Sequence, residues 1–438
     1  MNEHMVQDGN ESPLRRRLAR AAGARPEEMR ALGWSFAYFF CLLAGYYVLR
    51  PLRDEMGVAG GVRNLQWLFT ATFLILLAAV PLYGALVAGL PRRRFIPLVY
   101  HFFAANLAIF WLLLTFGVER QIVARVFFVW ISVFNLFAVS VFWSFMADLF
   151  TSEQGKRLFG FIAAGGSAGA LAGPALTIGL AGSLGPANLL IVAALFLEAA
   201  VFCVHRLVSV APIAEKQVSI EKEQSALGGG WLDGVTMVLR SRYIAGIALW
   251  VALLSVAGTF LYFQQANIVA TASDDPAVRT RMFASIDLAV GLLTAAVQFL
   301  ATGRLIGRFG VGAAIAFLPF VFAVGFVALA WAPVLAVVIG FQAIQRTANF
   351  AIANPAREVL STVLAREEKY KAKNVIDIVV FRGADAAGGW LFEALRTAGM
   401  ELRAISLAAV PLAAAWFALA LALGRAQERR AGQPGLAL

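Results

Sequence analysis

Cysteine and histidine are nearly missing, with two of one and three of the other in 438 residues. Cys41 and Cys203 fall inside hydrophobic runs without metal-ligand spacing, so they read as small apolar packing residues, with no disulfide and no metal site expected. His101 and His205 stand on apolar or terminal positions with no Cys or carboxylate at ligand spacing, and Glu198 is as isolated, which favours packing over metal binding. Charged residues make up only 14% of the chain, too few for a soluble domain of this length. There is no nucleophile elbow, no phosphate-cradling P-loop and no paired His and carboxylate arrangement. The chain is therefore expected not to be an enzyme and to hold no cofactor. The residues before Trp34 are polar and carry Arg15, Arg16, Arg17 and Arg20. They lack the apolar core and small-residue cleavage site of a signal peptide, and read as a cytoplasmic tail.

Apolar sequence is what the chain has in quantity: 60% of it is hydrophobic and the mean hydropathy is +0.75. At roughly 20 residues per crossing, this makes an all-α polytopic membrane protein with about 12 transmembrane helices. Candidate spans cover 31–49, 66–90, 95–116, 123–150, 158–182 and 187–205, then 243–271, 282–302, 311–331, 333–353, 374–395 and 402–423. A polar segment with a Gly228, Gly229, Gly230 run separates the two sets and reads as a linker. The expected organisation is a basic tail (1–30), a six-helix bundle (31–207), a cytoplasmic linker (208–242), a second six-helix bundle (243–424) and a short tail (425–438). GALVAGLPRRR after the second span recurs in position as GRLIGRFG after the eighth, as parallel repeats would require.

The net charge of +11 suggests nucleic acid only until its distribution is considered. Lys and Arg gather with the termini, the PRRR loop, the central linker and the loop before the eleventh span. The positive-inside rule then puts both termini in the cytoplasm and leaves no role for nucleic acid. An arginine- and alanine-rich membrane protein of this kind suits a bacterial inner membrane, with lipid as its surroundings and a monomer as its expected state.

Polar residues within the spans carry the functional signal. Gln342, Gln345, Arg346 and Asn349 share one face of the tenth span, Asn374, Asp377 and Asp385 a face of the eleventh with Arg382 at its edge, and Gln264, Asn267 and Thr271 a face of the seventh. Three such stripes imply an aqueous cavity. A charge at bilayer depth costs at least about 2.5 to 3.5 kcal/mol, so Arg346 and Arg382 need a partner or a task. One reading pairs Arg382 with Asp377 or Asp385, and Arg346 with Asp287, as ties between helices. The other makes them anion ligands, with Asp287, Asp377 or Asp385 as proton-coupling groups. Arg50 and Arg53 follow the first span, where they can snorkel to the interface or pair with Asp54 and Glu55. Gly165, Gly169 and Gly173, followed by Pro174, make a small-residue stripe for close helix packing. That groove would harden the interface along which two halves rock.

NPAREVL (Asn354–Leu360) followed by EKYKAKNVIDIVVFRGAD (368–385) resembles the Asp-Pro-Thr-Lys-Glu and Lys-x-Lys-x-Lys-x-x-x-Asp signature of the ATP/ADP translocase family of plastids and intracellular bacteria. LRPLRDEMGV (49–58) is similar to that family's Pro-Leu-Lys-Asp stretch, and FWSFMADLFTSEQGKRLFGFIAAGGSAG (142–169) to its Phe-Trp-x-Phe-Ala segment. The resemblance implies a twelve-helix, major facilitator-like fold, nucleotide exchange and a cationic central site. Arg53 matches the family's functional lysine, and Lys371 and Lys373 its basic positions before the eleventh span. The chain departs from the pattern at Ile131 and Ser132 in the fourth span and at Gln264 and Gln265 in the seventh, where the family has acids. Ala88 and Gly307 replace the superfamily's loop acid.

The sequence thus predicts an alternating-access carrier of a small organic anion, ATP/ADP or another phosphorylated compound first. Arg53, Gln264, Gln342, Arg346, Asn349, Asn374, Asp377, Arg382 and Asp385 are its candidate ligands. The departures favour another small metabolite carried with protons. A lipid head group is a further alternative.

Overall fold

The first helix does not stop at Leu49. In a computed structural model, which describes residues 24–89, 92–210, 231–300, 302–364, 368, 371–373 and 375–431, α1 runs Met29–Ala59 and carries Pro51 in its interior. Proline removes one backbone hydrogen bond, but it does not force an end where neighbours brace the helix on both sides of it. Pro51 is buried, and so are Leu49, Leu52, Asp54, Glu55 and Met56 around it. The sequence reading that ends the span at 49 is corrected: Arg50, Arg53, Asp54 and Glu55 lie inside the bundle, on the next one to two turns of the same helix.

The remaining long helices of the first half are α2 (Leu65–Gly89), α3 (Arg92–Thr115), α4 (Arg120–Leu149), α5 (Ser152–Leu184) and α6 (Leu189–Val210). A short helix, Trp231–Arg240, precedes the second half, which comprises α7 (Arg242–Ala272), α8 (Pro276–Leu300), α9 (Thr302–Trp331), α10 (Leu335–Ala348), α11 (Phe381–Thr397) and α12 (Leu402–Ala431). Eleven of the described helices are long and apolar enough to cross a membrane. The exception is the α11 region, where Asp377, Arg382, Asp385 and Glu393 dilute a stretch otherwise placed like the rest. Within α9 the backbone turns at Gly310 (φ 77°, ψ 169°), so the membrane-length helix starts there, next to the position 311 expected from hydropathy.

α10 and α11 are irregular where they approach each other. After Ala348 the chain makes a π turn over Asn349–Ala353, in which Asn354 N–H reaches back five residues to Asn349 O, and then resumes as Asn354–Leu360. Pro355 is the local cause: it has no N–H for Ala351 O, so the register loosens one turn earlier. A second π turn, Val375–Val380, leads into α11. Asn374 lies outside the described residues.

Two hydrophobic cores form. One draws only on residues between Ala31 and Leu207. In it Phe142 stacks on Phe39 at 4.0 Å, and the Tyr38 and Tyr100 hydroxyls meet at 2.5 Å, so the FWSF segment serves as packing. The other core runs from Val238 to Leu423 and also takes in Val58, Leu65, Leu68, Phe128 and Val129 from the first half. All five lie toward the end of the bundle where α1 turns into α2 and α4 starts. At that end, opposite the termini, the two halves are fused.

The glycine stripe of α5 takes α1, its neighbour in the same half. A Cβ on Gly165, Gly169 or Gly173 would stand 2.5, 2.5 and 2.7 Å from the carbonyl oxygens of Phe36, Phe40 and Ala44. The packing expectation fits this contact, whereas a groove between the halves does not. α5 meets the other half on a different face, where Leu171 lies against Gly291 of α8.

Candidate functional site

Two charge clusters join the halves. At the end opposite the termini, Glu55 of α1 is wholly buried and accepts from Arg279 Nη2 of α8 at 2.8 Å and from Arg120 Nη2 of α4 at 3.2 Å. Beside it Tyr262 of α7 donates to Asp54 Oδ1 at 3.1 Å. On the adjoining α2 and α11, Trp390 Nε1 donates to Thr70 Oγ1 at 3.0 Å, while the Trp67 and Trp390 rings meet edge to face at 4.7 Å.

The second cluster lies one to two turns deeper. Arg346 of α10 donates to Asp287 Oδ1 of α8 at 2.6 Å, and Arg50 of α1 approaches the same oxygen with Nε at 3.7 Å. One carboxylate thus faces guanidiniums from both halves. Its side chain is 2% exposed, against 21% for Arg50 and 13% for Arg346. Arg53 leans on Asp54 at 3.5 Å and lays its guanidinium over the Phe128 ring at 4.2 Å. Its Nε is buried without a hydrogen-bond partner. Arg382 meets Asp385 one turn along α11 at 3.3 Å. Asp54 lies within electrostatic range of Arg50, Arg346 and Asp287, and Asp385 within range of Arg53. Four guanidiniums, Arg50, Arg53, Arg346 and Arg382, face three carboxylates, Asp54, Asp287 and Asp385.

The predicted polar stripes separate here. Gln342 donates to Gln265 of α7 and accepts from Gln345 at 2.8 Å, a chain of amides crossing from α10 to α7. Asn349 begins the π turn with its Oδ1 buried and unpaired. Gln264 is not with them: it is fully buried and donates to Ser406 Oγ at 2.5 Å and Leu402 O at 3.1 Å, fastening α7 to α12. Asn267 accepts from Arg396 of α11 at 2.8 Å. The α7 stripe is thus a seam between helices, because each of its amides finds a neighbour's donor or acceptor before reaching open space.

Asp377 is also apart from Asp287, held by Arg357 at 2.9 Å in a small cleft near the terminal end, lined by Glu358, Lys373 and Ile247 among others. Lys373 pairs there with Glu358 at 2.6 Å, both side chains being over 40% exposed. Lys371 lies two residues away in the same helical turn. His101 and Glu198 are not isolated as the sequence suggested, since they meet at 2.9 Å across α3 and α6. Their 97-residue separation hid this. Among the described residues no group of three or more His, Cys, Asp and Glu side chains comes together as a metal would need.

Arg120, Arg279 and Tyr262 had no signal in the sequence. The two arginines sit where flank charges always sit, at the first residue of α4 and the fourth of α8, and only the fold reveals their common partner. Ser255 and Thr259, which contact Asp385, read in the sequence as ordinary small residues of an apolar span.

No family model matches the chain, and no curated protein matches it. Solved structures do. A bacterial homologue of the human lysosomal transporter Spinster, in an inward-facing and unoccupied conformation, superposes with a TM-score of 0.59 at 14% identity, over 93% of this chain and 99% of that one. The nucleoside transporter NupG gives 0.59 at 12% identity, over 91% and 99%. A POT family transporter in complex with 5-aminolevulinic acid gives 0.61 at 12% identity, over 92% and 96%. At these identities the likeness carries the fold: the chain is an integral membrane protein with a major facilitator-like arrangement of two six-helix halves.

Proposed function

We propose that this protein is an alternating-access secondary transporter of a small organic anion, bound between guanidiniums supplied by its two halves. The observation that carries this reading is the sharing of Asp287 by Arg50 and Arg346. A buried structural pair matches each charge with its opposite, because an unmatched ion in low dielectric costs several kcal/mol. Around Glu55 both guanidiniums hydrogen-bond the acid, but around Asp287 only Arg346 does, with Arg50 standing off at 3.7 Å. The wider group with its three carboxylates ionised holds one cation more than it holds anions. An anionic ligand completes that set. Arginine suits the task, since its planar fork offers two parallel hydrogen bonds to a carboxylate or phosphate and stays charged throughout.

The same cluster supports a reason for exchange. Closing the empty site buries uncompensated cations, while closing it around an anion does not, so return of the empty carrier is slow. With both termini in the cytoplasm, the fused end faces away from the cytoplasm and the conformation is inward-facing. A nucleotide or another phosphorylated metabolite is the first substrate to try, on the resemblance of the 354–385 stretch to the ATP/ADP translocases. The neutral residues Ile131, Ser132, Gln264 and Gln265 favour a smaller anion as the second.

The test is thermal stabilisation of the detergent-solubilised protein by ATP, ADP, sugar phosphates, inorganic phosphate, dicarboxylates and uncharged nucleosides. A ligand at 100 times its dissociation constant adds about 2.7 kcal/mol to the native state, a visible shift in melting temperature. Stabilisation by an anion in the wild type that falls by half or more in Arg50→Ala is the expected result. Stabilisation by uncharged compounds alone removes the reading.

A further inference from the structure

Asp385 is met by a hydroxyl that has a second acceptor beside it. Ser255 Oγ, midway along α7, lies 2.5 Å from Asp385 Oδ1 and 2.6 Å from the carbonyl oxygen of Phe381. A serine hydroxyl has one proton. If Asp385 is ionised, both neighbours are acceptors, and one of the two short oxygen contacts contains no hydrogen. If Asp385 is protonated, its Oδ1–H donates to Ser255 Oγ, the Ser255 hydroxyl donates to Phe381 O, and both contacts are satisfied. The site also provides for the ionised form: Ser255 turns its proton to Oδ1, Thr259 Oγ1 stands 3.2 Å from the same oxygen, and Arg382 Nη1 lies 3.3 Å from Oδ2.

Neither Asp287 nor Asp377 has such a relay, and Asp54, which receives the Tyr262 hydroxyl, has Arg53 beside the same oxygen. Asp287 is met by Arg346 and Arg50, and its Oδ2 is buried with no partner. Asp377 is met by Arg357. Guanidiniums only donate, so a proton on either acid would find no acceptor among the partners it has. The groups facing Asp385 are Arg382 on its own helix, Ser255 and Thr259 on α7, and Arg53 acting from α1. On the α2 side Phe73 packs against Gly383.

We propose that Asp385 is a proton-binding site, and that its protonation frees Arg382 to hold an anion. The proton enters on Oδ1, Ser255 rotates its hydroxyl to Phe381 O, and the Arg382 guanidinium, 34% exposed, loses its counter-ion. One proton then accompanies each anion. The second clause rests on the anion-carrier reading above; the first does not.

Infrared spectra of the purified protein in lipid test the first clause without any transported solute. A protonated carboxyl gives a C=O stretching band, sensitive to deuteration, that a carboxylate lacks. The expected result is such a band in the wild type at neutral pH, absent in Asp385→Asn, displaced in Ser255→Ala and unchanged in Asp287→Asn. A spectrum that Asp385→Asn leaves unaltered from mildly acidic to mildly alkaline pH overturns the proton site. For the second clause the probe is sulfate, which keeps its charge over that range. Its affinity should rise as pH falls, by up to tenfold per pH unit, because proton and anion strengthen each other's binding reciprocally. In Asp385→Asn the affinity should be high and independent of pH. A slope that persists in Asp385→Asn overturns the release of Arg382. The expected band without sulfate binding at any pH supports the proton site and overturns the release of Arg382 to anions, while the anion-carrier reading is decided separately by the thermal panel.

Discussion

The clusters around Glu55 and Asp287 each set one carboxylate between guanidiniums from the two halves, and they differ in how completely those guanidiniums engage it. Glu55 is one anion enclosed by Arg120 and Arg279 at hydrogen-bonding distance, and it uses both oxygens. Asp287 directs one oxygen at two cations, one of them at 3.7 Å, and leaves the other oxygen unpaired. Glu55 is 0% exposed between Arg279 at 10% and Arg120, at the rim, at 47%, whereas Arg50 is 21% exposed while standing beyond hydrogen-bonding distance of its acid. A cluster in which both guanidiniums hydrogen-bond a wholly buried acid is a clasp. One that leaves a guanidinium half-matched and reachable is suited to receive a ligand. The first should therefore govern stability and the second recognition.

Glu55→Gln gives the largest effect. It removes the anion from between two cations where little water can enter, and breaking a buried pair by losing one partner costs about 3 to 5 kcal/mol. The expected outcome is a large fall in melting temperature, the same with and without anionic ligands. A variant as stable as the wild type would make the clasp a surface pair and end the comparison.

Arg50→Ala should act the other way round. Asp287 keeps Arg346 at 2.6 Å, so the fold loses little. Bonds from a charged group to a ligand are worth about 1.5 to 3 kcal/mol, roughly 10- to 150-fold in affinity. Titration with the best anion of the thermal panel should show that loss while the unliganded melting temperature stays close to wild type. If instead the unliganded protein is destabilised as much as by Glu55→Gln, Arg50 is a second clasp residue.

Glu28, just before α1, offers a pH test of a satisfied acid outside the membrane spans. Burial raises its pKa, but the Arg25 backbone N–H at 2.8 Å, the Gln154 amide at 3.0 Å and the Arg157 guanidinium at 2.9 Å outweigh this and hold the carboxyl below its usual range. A folded pKa below the unfolded value of about 4.3 means that the contribution is complete above that pH and is lost as pH falls through the folded pKa. Glu28→Gln should therefore melt lower than the wild type at neutral pH, and the gap should close as the solution becomes acidic. A gap that widens on acidification would contradict the sign.

The sequence made much of this fold legible and little of the clasp. Hydropathy located the spans because lipid demands a continuous apolar run, and the 349–385 stretch stood out because ions at depth are costly. The pairs Arg346–Asp287 and Arg382–Asp385 were among the readings that cost allowed. Glu55 with Arg279 was not, since 224 residues separate them and each looks like a charge flanking a helix end. Ending the first span at Leu49 hid the rest: it set Arg50 to Glu55 at the helix end, whereas packing on both sides of Pro51 carries the helix through to Ala59. Gln264 failed for a related reason. Periodicity tells which residues share a face, but not whether that face meets a cavity or another helix.

Lys373 carries the smallest expected effect and the most direct trial of resemblance against geometry. The likeness to the ATP/ADP translocases makes it a functional basic position, while the structure gives it Glu358 at 2.6 Å with both side chains over 40% exposed. Exposed pairs contribute about 0 to 1 kcal/mol, so Lys373→Ala should leave the melting temperature nearly unchanged. If the loop only draws anions toward the site, the variant should also bind them with unaltered affinity at high salt and associate more slowly at low salt, because surface attraction is screened beyond about 10 Å at 0.1 M. A loss of affinity that survives high salt would place Lys373 at the ligand. The set of cations that recognise the anion would then extend from the buried cluster to the terminal end of the bundle.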